Sequence, residues 1–378
     1  MELKRFKFID KPFLIVLAII IVIGFVVLVS ATNAISSDPY FYLKKQLFTI
    51  FLGIGISIFI IRYDYAQLSR YNFIIYGMAI VMLVAVLIFG EEVRGTTGWI
   101  TIGPLPAFQV AEFTKIMLII AFADFLSKRR NNLDTLTKLI PCFIFMGIPF
   151  LLVMVQPDLG TALVYIAITL VMMFMAGANP KIMITIITSV IALTALILFL
   201  HFQYGLPLPL ETYQIKRLTM FIDPYADGQG GRGAGWNTIQ SLIAVGSGGL
   251  FGKGLFNGTQ VQLNFLPEHH TDFIYSVIGE ELGFIGAAFV IILFGILLLR
   301  TVYIALNAKD FYGTLIVLGI SAMWLFHVYE NIGMSIGIMP ITGIPLPFLS
   351  YGGSAMLTNI VAAGVILSVN IRGKKIVF

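Results

Sequence analysis

Charge is scarce in this chain. Asp, Glu, Lys and Arg make up 11% of its 378 residues, and 58% are hydrophobic. A soluble domain carries roughly 25% charged and about 45–50% apolar residues. No soluble core of this size hides so much apolar surface, so a soluble globular fold is excluded and a bilayer is the natural solvent. Cysteine is nearly absent: Cys142 stands alone inside an apolar run, which excludes a disulfide framework and a thiolate metal site. Histidine is also rare. The pair His269–His270 cannot share one helix face, and with no further His or Cys cluster a zinc site finds no support. The formal charge of +5 invites a nucleic-acid reading, but its distribution along the chain argues otherwise.

Apolar runs of about 20 residues, the length that spans a bilayer, fall at 13–34, 45–61, 71–90, 108–127, 139–155, 161–178, 181–201, 273–299, 312–330 and 353–371. The expected fold is an all-α polytopic membrane protein of about ten transmembrane helices, one domain over 1–378. With a cytoplasmic N-terminus, sixteen of the 24 Lys and Arg residues lie on the inner side, among them Lys4, Arg5, Arg62, Arg70, Lys128, Arg129, Arg130, Lys181, Arg300 and Lys374. That satisfies the positive-inside rule; both termini are then cytoplasmic, and the reverse orientation violates it. The positive charge is a topology signal, and no nucleic-acid partner is expected. The first run resembles a signal peptide with a cleavage-like Ala31–Ala34, but it exceeds the usual core of about 7–15 residues. It reads as a retained anchor.

Three outer segments depart from plain spanning helix. Residues 91–106 are rich in turn formers. The large extracytoplasmic loop 202–271 contains 238–252, too short and Gly-rich to span and read as re-entrant or surface-lying. The third, 331–352, includes Pro345 and Pro347. Irregular backbone at membrane depth is tolerated only against protein or a wet cavity, so the three are expected to converge on one outward-facing cavity. No internal repeat is evident, which counts against an inverted-repeat transporter. Gly228–Gly233 matches a dinucleotide-binding pattern in letters only, since no strand precedes it and no helix-opening unit follows.

The stretch Asn264–Gly283 concentrates Glu268, His269, His270, Asp272, Glu280 and Glu281 at the mouth of an apolar run. Ionisable groups at a membrane edge are costly and mark function by default. Asp272 suits both an N-cap and a catalytic carboxylate. Glu280 and Glu281 lie within the run, or else show that the span proper begins after them. Glu112 and Lys115, three apart, face the same side of a helix with Gln109 one turn earlier; a structural ion pair and a site for an anionic ligand both fit. Asp158 is another outer-end acid and suits an N-cap of the next run. Lys44 and Lys45 break the positive-inside trend, through anion binding or by snorkelling to headgroups. A carboxylate base, several cations and a lipid-level cavity suit an amphiphile with a phosphorylated polar head. A base takes a proton from a sugar hydroxyl while cations or a metal stabilise a departing pyrophosphate.

Four separated blocks, Leu266–Glu281, Gln156–Thr161, Ile341–Ser354 and Gly98–Ile100, resemble in order the blocks of the SEDS family (shape, elongation, division and sporulation). Gly248–Gly254 and Gly258–Leu266 are most similar to its elongation member. The resemblance implies an inverting peptidoglycan glycosyltransferase in the bacterial cytoplasmic membrane. Such an enzyme polymerises lipid II at the outer face alongside a class B penicillin-binding protein and the elongation machinery. It implies that Asp272 is the general base, that Lys115 assists the pyrophosphate with Glu112 holding it or a divalent cation, and that Trp99 shapes the cavity or stacks on a sugar. Gln109, Lys45 and Asp158 complete the expected substrate contacts. A lipid II flippase and a non-catalytic scaffold are the other readings. Two departures stand out: Gly98 replaces an arginine common in the family, and Gln109-Val110-Ala111-Glu112 replaces Gln-Pro-Ser-Glu. Arg94 or Lys45 are the substitutes for the missing phosphate contact.

Overall fold

The computed structural model describes residues 8–33, 35, 38, 40–93, 96–101, 108–205, 212–226 and 229–373. Each of the ten apolar runs becomes a helix: α1 (Lys11–Thr32), α2 (Phe41–Arg62), α3 (Asn72–Phe89), α4 (Val110–Ser127), α5 (Leu136–Val155), α6 (Leu159–Met175), α7 (Pro180–Tyr204), α11 (Ile274–Leu306), α12 (Phe311–Ser335) and α13 (Gly353–Gly373). Between α7 and α11 lie α8 (Thr212–Ile222), α9 (Trp236–Ser247) and α10 (Thr259–Gln262). Eight helices among the described residues are long and apolar enough to cross a membrane. The other two of the ten are α4, which carries Glu112, Lys115 and Asp124, and α6, whose apolar helix is shorter.

Local chemistry sets several helix starts. Asp10 accepts from the Phe13 amide with Pro12 in the first turn, Asp158 accepts from the Thr161 amide, and Asp310 from the Gly313 amide. Each carboxylate satisfies one of the orphan N–H groups at a helix N-terminus. The interior is built on α12 and α13. Here α13 lies along α2, and α12 packs on α11, α6 and α4, with α1 against α11. By contrast, 6% of the α7 span is buried, and its main neighbour is α6. Exposed Phe51, Phe73, Ile88, Leu151 and Phe199 face outward from α2, α3, α5 and α7, as expected where lipid is the solvent.

The outer loop differs from the long irregular segment expected. Residues 238–252 form most of α9, packed on α11, followed by a turn. That turn answers a break in α11. Gly283 sits at φ 68°, ψ −168° within the helix, and the broken ladder is completed from outside. Lys253 and Gly254 amides donate to the carbonyls of Glu280 and Glu281 at 3.0 Å each. The amides of Phe284 and Ile285 donate to the carbonyls of Gly249 and Leu250 at 2.8 and 3.1 Å. A Cβ on Gly283 would lie 2.2 Å from the Gly252 nitrogen, so glycine is needed for both conformation and approach. The uninterrupted span therefore begins after the two glutamates, the second of the two expectations for them.

A second difference is a small antiparallel sheet in the segment read as a loop: β1 (Glu91–Val93), β2 (Thr96–Ile100) and β3 (Phe108–Gln109) in that order. Its register pairs Trp99 with Gln109, setting Trp99 beside the start of α4.

Candidate functional site

The irregular segments meet at one cavity of about 570 Å³. Its walls are the first turns of α2, the sheet residues Trp99 and Gln109, the start of α6 at Pro157–Leu159, Arg217 of α8, the turn bearing Asp272, the irregular segments 342–345 and 351–352, and the first turn of α13. The sequence-derived convergence therefore holds. Gln46 pins two of these walls together: its Nε2 donates to the Ser350 carbonyl at 3.0 Å, and its Oε1 accepts from the Gly352 amide. The Gln109 amide donates to Ser354 Oγ at 2.9 Å, joining the sheet to α13.

Of the expected residues, the cavity brings together Asp272, Trp99, Gln109, Lys45 and Asp158. The two acids differ in what holds them. Asp158 caps α6, accepting from the Thr161 amide and hydroxyl at 2.9 Å each and from Gln109 Nε2 at 3.1 Å. It is a fixed part of the wall, as the capping reading expected. The N-cap position of α11 falls to Phe273, whose side chain makes no capping bond, with Asp272 one residue before it. The Asp272 carboxylate Oδ2 sits where a Cβ on Gly343 would be 3.4 Å away, against the opposite wall. Lys44 and Lys45 stand on α2, Lys45 over the Phe41 ring and Lys44 bonded to Asp38 at 2.9 Å. That bond draws the exposed Asp38 carboxyl below its ordinary value.

Glu112 and Lys115 do not line the cavity. They are buried in α4, with Lys115 Nζ 2.6 Å from Glu112 Oε1 and 3.0 Å from His327 Nε2. The bland reading of an internal ion pair describes their geometry, with His327 added as a third member. Arg94 lies outside the described residues. Arg217, which sequence reasoning did not single out, reaches the cavity instead and donates from Nη1 to the Thr342 carbonyl at 3.3 Å. Its signal in the sequence was a Lys-Arg pair, Lys216–Arg217, within an outer loop.

The neighbouring histidines and glutamates hold structure. His269 places one ring nitrogen 2.5 Å from the Leu266 carbonyl and the other 2.7 Å from the Ala31 carbonyl, so both nitrogens are engaged. His270 packs with Tyr42 and Tyr351, ring centroids 5.1 and 5.9 Å away. Burial, with the Tyr42 phenol beside it, raises the Tyr351 hydroxyl above its ordinary value. Glu280 accepts from Lys253 Nζ at 2.7 Å, the Thr259 hydroxyl and the Gln260 amide, and Glu281 accepts from Ser30 Oγ. These bonds clamp the 253–262 segment onto α11 and α1. Among the described residues no group of three or more His, Cys, Asp or Glu side chains gathers for a metal.

The family model for the FtsW, RodA and SpoVE cell cycle proteins matches residues 10–375. Stage V sporulation protein E of Bacillus subtilis is 37% identical over 370 residues, covering 96% of each chain. Peptidoglycan glycosyltransferase RodA of Treponema pallidum is 32% identical, covering 96% of this chain and 98% of its own. A chain from a solved peptidoglycan synthase complex, described as coordinating polymerization and crosslinking, superposes with a TM-score of 0.78 at 28% identity, covering 96% and 97%. With the four motif blocks standing in the family's order around one cavity, the chain belongs to the FtsW, RodA and SpoVE family of polytopic membrane proteins.

Proposed function

We propose that the chain is a peptidoglycan glycosyltransferase that polymerises lipid II at the outer face of the bacterial cytoplasmic membrane during cell-wall elongation. The observation that carries this reading is the cavity itself: it sets the carboxylate of Asp272 among the cations Lys44, Lys45 and Arg217. A polyprenyl diphosphate sugar needs that combination. Asp272 accepts the proton of the acceptor's 4-hydroxyl as that oxygen bonds to the donor's anomeric carbon. The bond from that carbon to the diphosphate oxygen breaks with inversion, and the diphosphate takes the electron pair. Lys44, Lys45 and Arg217 stabilise the negative charge that develops there. Trp99 offers an aromatic face to a sugar ring, while Gln109 and Asp158 hold the wall behind it. Glu112 and Lys115 act from below, through the buried contact with His327, as a support for α4 and α12.

The partner in this reading is a class B penicillin-binding protein within the elongation machinery. The test is polymerisation of purified lipid II by the chain with and without that partner, with and without EDTA, beside Asp272→Asn. Glycan strands from the wild type and none from the variant support the reading. Lipid II flipping in proteoliposomes without polymerisation would favour a flippase, and neither activity would favour a scaffold.

A further inference from the structure

The Asp272 wall and the 342–345 wall of the cavity come from segments far apart in sequence, and one enclosed side chain touches both. Asn331, buried on α12, donates from Nδ2 to the Asp272 carbonyl at 2.7 Å and to the Ile344 carbonyl at 2.8 Å. A primary amide carries two N–H groups, so a single nitrogen serves both walls at once. The Asp272 turn is held on its other side by Glu268, a residue at φ 53°. The Glu268 carbonyl accepts from the amides of Thr271, Asp272 and Phe273 at 3.2, 3.0 and 3.3 Å. Facing the carboxylate, Gly343 adopts φ 78°, and a Cβ there would lie 3.4 Å from Oδ2, in ordinary contact. The backbone of Asp272 is thus fixed between the Glu268 carbonyl and the Asn331 amide, and the facing wall is fixed by that same amide.

We infer that Asn331 is a positioning residue, setting the separation between the Asp272 carboxylate and the Thr342–Ile344 wall without touching the substrate. It does not line the cavity. Losing the amide strips the donor from two carbonyls and unties the walls from each other. A base displaced by about 1 Å loses about 100-fold in rate. The inference rests on Asp272 being the base.

The experiment uses the full chain with its penicillin-binding partner and purified lipid II, with kcat and KM measured separately. Asn331→Leu, similar in size but without donors, is expected to lower kcat about 100-fold while KM stays within about threefold. Asn331→Gln restores the two donors on a longer arm and is expected to recover about a tenth of the wild-type kcat. Ser335→Ala is the control on the same helix. It removes the hydroxyl that donates to the Asn331 carbonyl at 2.8 Å and leaves both walls tied, so kcat is expected to hold within about twofold. Wild-type kcat in Asn331→Leu, a change in KM alone, or an equal loss in Ser335→Ala overturns the positioning role. Should Asn331→Leu fail to fold, Asn331→Gln decides: an unchanged kcat, or one as low as background, overturns it. Asp272→Asn runs beside them. Its inactivity together with an active Asn331→Leu sinks this inference alone, whereas full activity of Asp272→Asn sinks the base assignment and this inference with it.

Discussion

Asp272 and the pair Glu280–Glu281 stand about two helical turns apart on the same stretch of chain, and they are used in opposite ways. Lysine, hydroxyl and amide donors converge on Glu280, and Ser30 on Glu281, and both glutamates are enclosed. Asp272 is half-buried, borders the cavity, and has its backbone held by Asn331 and Glu268. Acids near a membrane edge therefore divide by what surrounds the carboxylate. Where donors converge on it, the acid locks segments together. Where the acid borders a cavity instead, its carboxylate can serve a substrate.

Exchanging acid for amide at each position sharpens the contrast. Asp272→Asn is expected to lower polymerisation about 1,000-fold with thermal unfolding in detergent unchanged; an activity loss matched by lost folding would erase the distinction. The glutamate region breaks most severely at its backbone. Gly283→Ala drives a Cβ into the Gly252 nitrogen at a positive φ and is expected to cost about 4 kcal/mol, read as a lower unfolding midpoint or loss of the monodisperse species. On the cavity side, Arg217→Gln is expected to lower kcat for lipid II about tenfold with KM little changed, as measured by initial rates. The smallest effect falls to Glu280→Gln. Its amide oxygen still accepts from Thr259 and the Gln260 amide, so the expected cost is about 1 kcal/mol, with kcat per folded molecule preserved. A catalytic defect there as large as that of Asp272→Asn would collapse the comparison.

The helices were legible because apolar run length is set by the bilayer, and each run from 13–34 to 353–371 has its helix. Glu112 and Lys115 were legible as a pair because both lie on one helix at a fixed spacing. Their third member, His327, was not, since a lone polar residue in an apolar run does not name a partner on another helix. Asn331 was hidden for the same reason. The sheet at 91–109 escaped because its strands are short and hold Thr, Gly and Trp rather than an alternating pattern. Nothing in the sequence around Gly283 announces a break; the break depends on the turn at 248–254, whose glycines make backbone contact possible. The cavity as a meeting point of irregular segments was predictable, whereas Arg217 required knowing how α8 lies.

The break at Gly283 has a consequence for biosynthesis. Its complement, the 248–254 turn, leaves the ribosome before the break does. Without that turn the broken conformation would leave two carbonyls and two amides bare towards hydrocarbon, each costing several kcal/mol, and the helix would pair them with each other instead. Arriving second, the break finds its partner already made. The order of translation and the order of assembly thus agree, and a circular permutation placing residues after 255 ahead of the turn would reverse that order while keeping every residue.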